Sequence, residues 1–255
     1  MRLATIAALL LGLLAAALPA ARAADDSPYQ AATALARATF ADSRSGGILA
    51  VKAHAAEIEW TLIGGRQAIE DAAAHGTVLT DGREETLFAM ASAVREGKSA
   101  TAMANPYPFL ALTLGSYYNE VGRPEDALRV LTLGLTFFVA TGEHHLGKHW
   151  APLMYERGVA LVSLKRYEEA LSVYDELVNH PGLDKPLLAL IHRGRGFALI
   201  ELGRLPEAET AYQKSLEIEP GNKIAQHELE YIEKLKAGGQ RAPAALAPLQ
   251  AAPGK

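Results

Sequence analysis

The run Glu143-His144-His145-Leu146-Gly147-Lys148-His149 is the densest group of metal-ligating side chains in the sequence. On a helix His145 and His149 would share a face four residues apart, a separation at which two imidazoles can take zinc or copper. A catalytic zinc also needs a third protein ligand and an open position. No third ligand stands out nearby, and Gly147 argues against a helix running through the pair. The run therefore reads first as a solvated connector, with His145 and His149 as weak metal candidates only. Nucleophilic chemistry has less support. There is no Gly-x-Ser-x-Gly elbow, and the chain has no cysteine, which removes thiolate catalysis, disulfides and cysteine metal sites together. Arg193-Gly194-Arg195-Gly196 looks like half of a phosphate loop but lacks the strand that should precede it. The acids Glu168-Glu169 and Glu207/Glu209 fall in first turns of expected helices, where the helix dipole accounts for them. No catalytic residue and no cofactor is assigned.

The elements around these residues come from a repeated spelling. A glycine is followed twelve residues later by an alanine three times: Gly115 to Ala127, Gly158 to Ala170, Gly196 to Ala208. An acid precedes each alanine (Asp126, Glu169, Glu207), and a large side chain follows four residues later (Leu131, Tyr174, Tyr212). Each unit reads as two antiparallel helices whose small residues permit close approach while the large ones fill the space around it. Gly122 and Gly203 sit where the first helix must end in a left-handed residue, a place taken by Lys165 in the middle unit. Pro124 and Pro206 open the second helices, and Pro220-Gly221 closes the last one.

These residues resemble the tetratricopeptide repeat. Gly196, Leu199, Gly203, Ala208, Tyr212, Ser215 and Pro220 match in a unit taken as 189–222. Gly158, Leu161, Ala170 and Tyr174 match in 151–184, and Leu114, Gly115, Tyr118, Gly122, Ala127 and Gly134 in 108–141. The resemblance implies an all-α fold, a right-handed superhelical solenoid of helix–turn–helix repeats. Units follow one another at 43 and then 38 residues, so second helices or their exits must be longer than the family's.

The flanks complete the plan. Residues 1–23 read as a secretory signal, with Arg2 at the charged end, an apolar core from Leu3 to Leu18, and Ala21-Arg22-Ala23 before the cut. Losing Arg2 and Arg22 would take the net charge from −4 to −6, which offers nucleic acid no basic field. The expected location is periplasmic or secreted, and no later segment is long and apolar enough to span a membrane. Residues 24–104 read as a helical N-terminal region that can hold degenerate repeats. In it we expect helices from Ser27-Pro28, over Ile48–Ile63 ending at Gly64-Gly65, a shorter one to Ala74, and one opened by Asp81 with Glu84 and running to Arg95. Thr77–Thr80 is β-favouring, but no partner strand is evident. Residues 223–236 form a capping helix with Ile224, Tyr231, Ile232 and Leu235 on one face. Residues 237–255, rich in alanine, proline and glycine, are expected to be a disordered tail.

What the resemblance implies for function is groove binding by first helices turned inward. Carried over residue by residue, the partner-binding candidates are Phe109, Leu112, Ser116, Asn119, Glu120, Tyr155, Val159, Arg193, Phe197 and Glu201. Aromatic anchors beside a few charges suit an extended or helical peptide. The expected function is a non-catalytic scaffold or adaptor of the bacterial cell envelope that binds a protein or peptide. Self-association into a homo-oligomer is the alternative, and a metal or enzymatic role through His145 and His149 comes after it.

Overall fold

The computed structural model describes residues 27–138 and 147–240. The signal at 1–23, most of the tail, and His145 lie outside the described residues. Helix α1 (Pro28–Gly46) opens on a reciprocal cap. Ser27 Oγ accepts from the Gln30 backbone N–H, and Gln30 Oε1 accepts from the Ser27 N–H. A 3₁₀ turn (Ile48–Ala53) then leads into α2 (Ala55–Ala74).

The helix expected to end at Gly64-Gly65 runs straight through both. A Cβ on Gly65 would stand 2.8 Å from the Tyr107 ring and 3.0 Å from that of Phe137, so this glycine serves close approach and not termination. A second correction concerns Thr77–Thr80. That segment is strand β1, and it pairs in parallel with β2 (Thr101–Ala104), Thr77 opposite Thr101 and Thr80 opposite Ala104. Parallel pairing needs a crossover, here helix α3 (Arg83–Arg95), which places the partner well downstream of the Asp81-Gly82 turn. Asp81 and Glu84 do not cap α3. Gly82 holds the cap position, and Glu85 reaches back to accept the Asp81 N–H.

Three helix pairs follow: α4 (Tyr107–Glu120) with α5 (Pro124–Gly134), α6 (Trp150–Ser163) with α7 (Tyr167–Val178), and α8 (Lys185–Glu201) with α9 (Leu205–Ile218). A short 3₁₀ turn, Leu135–Phe137, extends α5, and α10 (Lys223–Lys236) covers the last pair. The turn between partners is left-handed at Gly122 (φ 72°) and Gly203 (φ 77°). Lys165 adopts the same conformation (φ 58°) without glycine's freedom. Within each pair the glycine lies under the large residue sixteen positions on. A Cβ would come within 2.4 Å of Leu131 at Gly115, and within 2.6 Å of Tyr174 and Tyr212 at Gly158 and Gly196. Ala127, Ala170 and Ala208 are wholly buried beside them.

The second and third pairs lock through one of these same side chains. Gly194 of α8 also lies against Tyr174, whose ring is thereby wedged between α6 and α8. First helices of neighbouring pairs touch one another, α4 with α6 and α6 with α8, far more than second helices do. The array therefore curves with its first helices inside. It is an all-α helical repeat solenoid carrying one short parallel ladder in its N-terminal region. Among the described residues no helix is long and apolar enough to cross a membrane.

Candidate functional site: the inner row of first helices

α4, α6 and α8 form the inner row, and the ten candidate residues lie along it. The row is more closed than the sequence suggests. Tyr155, Val159, Arg193 and Phe197 are buried, at 6%, 5%, 3% and 5% exposure, where an accessible aromatic and charged surface was expected. The cause is the first-helix contact itself, because large side chains on α6 and α8 fill the space between adjacent helices. Tyr155 lies 6.2 Å from the Tyr174 ring, and burial drives its phenol well above the ordinary tyrosine range.

Arg193 faces into the protein. One terminal nitrogen donates to Ser215 Oγ at 3.1 Å and to a Glu219 carboxylate oxygen at 2.7 Å. It thereby ties α8 to the end of α9. A buried guanidinium with a carboxylate partner is a structural bond whose loss strands a charge, not a spare hook for a ligand.

Phe109, Leu112, Ser116, Asn119 and Glu201 are half-buried, and Glu120 is exposed. Asn119 Nδ2 donates to the Glu156 carbonyl at 3.0 Å and to its carboxylate at 2.8 Å, joining α4 to α6. Glu156 is a residue that sequence reasoning passed over. It stands in the apolar run Leu153-Met154-Tyr155-Glu156, and a lone acid there was the available signal. Burial raises its carboxyl pKa, and Glu120 beside it pushes the same way. Toward the other end Glu228 of α10 is raised by burial, with Glu201 adding to it. At the upstream end α1 covers the row. Phe40 meets Phe109 edge-on at 6.1 Å, and the His149 ring lies tilted against the same ring at 5.7 Å.

His149 has a structural partner. Asp81, 1% exposed, accepts the His149 backbone N–H at 2.8 Å and its Nδ1 at 2.6 Å, while the Asp81 carbonyl accepts the Lys148 N–H at 2.7 Å. Among the described residues no group of three metal-ligating side chains is placed to hold an ion. Sequence reading also missed the partners of the repeated acids. Arg123, Arg166 and Arg204 pair with Asp126, Glu169 and Glu207 three residues on, at 2.6 Å in each unit. An Arg-x-x-acid spelling recurring with the repeat was the signal. The pairs are exposed, Asp126 only partly, and each contributes little to stability.

These features define the class of fold: a helical repeat solenoid whose inner helices form a continuous row. Tetratricopeptide-repeat family models match residues 151–179 and 189–222, within the second and third of these helix pairs. Such repeats are in general protein–protein interaction modules, and the family is typically a non-catalytic scaffold. No curated protein is similar enough to the chain to count as a relative.

Proposed function

We propose that the chain is an exported, non-catalytic interaction module of the bacterial cell envelope that takes a protein or peptide on its inner row. The observation that carries this reading is the curvature. First helices contact one another along the array, so Leu112, Ser116, Asn119, Glu120 and Glu201 line one inner surface. The closed middle of that surface shifts the expected contacts away from Tyr155 and Arg193, toward the polar rim around Glu120 and Glu156. Export rests on residues 1–23, whose charged start, apolar core and small-residue cut belong to secretory signals.

The test is photo-crosslinking in cells, with the reactive residue at Glu120 and, as control, at Glu217 on α9. A partner captured at 120 and missed at 217 supports inner-row binding, and equal capture at both sites refutes it. Capture of the chain alone favours a homo-oligomer. Sequencing the mature N-terminus checks export, with Ala24 expected first.

A further inference from the structure

A polar-walled cavity of about 490 Å³ opens between α7, α8 and α9, away from the inner row. Asp175, His192, Arg195, Glu207 and Lys214 stand in its wall. Both acids already accept from an arginine, Asp175 through one oxygen and Glu207 through both. Asp175 accepts from Arg195 Nε at 2.6 Å, and the two oxygens of Glu207 accept from Arg204 at 2.7 and 2.6 Å. Lys214 forms no ion pair among the described residues, and the terminal nitrogens of Arg195 make no hydrogen bond there. His192 is more than nine-tenths buried, and its Nδ1 has no protein partner. A buried polar nitrogen without a partner is costly, and such groups call for an explanation. The ammonium of Lys214, outside any ion pair among the described residues, and the free terminal N–H groups of Arg195 converge on a space whose carboxylates already accept from arginines.

We propose that this cavity binds a carboxylate, held by Lys214 and the free end of Arg195 with His192 at its inner wall. A planar guanidinium end and a point ammonium suit the two oxygens of such an anion. The electrical surroundings agree. Burial lowers the His192 pKa to about 4, and Lys214 and Arg195 push it the same way, with no acid among the causes. An anion seated there would draw that value upward. The carboxylate is either a free organic acid or an acidic side chain of a polypeptide, since both present the same two oxygens. The site is independent of the inner row, so it stands or falls apart from the function proposed above.

The experiment is imidazole NMR of His192 in the full chain at neutral pH, titrated in one arm with glutarate and in the other with capped Ala-Glu-Ala. A saturable shift of the His192 ring is expected. Tighter binding of the peptide assigns the site to a polypeptide side chain, and tighter binding of glutarate assigns it to a free acid. Lys214→Met, at an exposed position that leaves the fold alone, should weaken binding by about tenfold or more, as loss of a charge-assisted bond does. Lys223→Met, outside the cavity, should leave it unchanged. Shifts that rise linearly in both arms, or equal affinity in Lys214→Met, would overturn the proposal.

Discussion

Replacing Gly158 by alanine should destabilise the protein, while the same change at Gly64 should stabilise it. Both glycines are helical, on α6 and α2. In a helix interior alanine is favoured over glycine by about 1 kcal/mol. At Gly64 that is the whole effect, because a Cβ there meets nothing within 4 Å. At Gly158 the new methyl would lie 2.6 Å from Tyr174 Cε1, 2.7 Å from Cζ and 2.9 Å from the hydroxyl. The ring cannot retreat. Tyr174 is wholly buried, and its far side rests against Gly194, where a Cβ would stand 2.7 Å from the same Cζ. Overpacking of this kind costs roughly 1–3 kcal/mol and occasionally more. With the ring blocked on both sides the upper end applies, so the net loss is about 2 kcal/mol. Urea denaturation followed by circular dichroism, on each variant and on the double variant, measures both signs. The sites share no partner, so their effects should add. If Gly158→Ala proves as stable as wild type, or moves in the same direction as Gly64→Ala, the wedge reading fails.

Other consequences are as direct. The hydroxyls of Tyr174 and Tyr212 are buried without a protein partner, so Tyr174→Phe and Tyr212→Phe should lose no stability and gain up to about 1 kcal/mol in the same denaturation assay. Lys165→Gly should gain about 1 kcal/mol, because it relieves a left-handed residue at the place of Gly122 and Gly203. Acid should act through His192. Its pKa in the folded chain is about 4, below the ~6.5 of an unfolded chain, so the unfolded state takes the proton first. Stability is full above the unfolded value and falls as the pH drops from there toward 4, by about 3 kcal/mol. Between pH 7 and pH 4 wild type should lose, relative to His192→Gln, unfolding free energy up to about that amount. Asp81→Ala should speed amide exchange at His149, whose N–H the Asp81 carboxylate accepts, and leave Lys148, bonded to the Asp81 backbone carbonyl, little changed.

The repeat core was legible because its constraints lie close in sequence. Gly158 and Tyr174 are sixteen residues apart, and both ends of that contact are spelled by residue size alone. The same glycine logic misled at Gly65, whose neighbours Tyr107 and Phe137 arrive from distant helices that no local window contains. Strand β2 escaped for a related reason, since Thr101–Ala104 becomes a strand only when α3 returns it to β1. On the inner row the sequence placed residues on the right helices, α4, α6 and α8, but overstated the exposure of Tyr155, Arg193 and Phe197. How far a side chain is covered depends on the distance between neighbouring helices. Side-chain periodicity within one helix carries no record of that distance.

The Asp81–His149 bond joins residues 68 positions apart, and it passes over the whole first helix pair to reach the second. In an ideal linear array each unit feels only its neighbours and can melt singly from either end. Here the two ends are unequal. Glu59 of α2 holds Arg129 and Tyr118 of the first pair, and Asp81 grips the doorway of the second. The upstream half is thus closed into a loop that must open as one body. The downstream half, α8 to α10, hangs from it by neighbour contacts alone. Loss of order should therefore travel like an unzipping from the carboxyl end. A pulling force or a processive protease would find an easy start there, and a hard stop at the clasp.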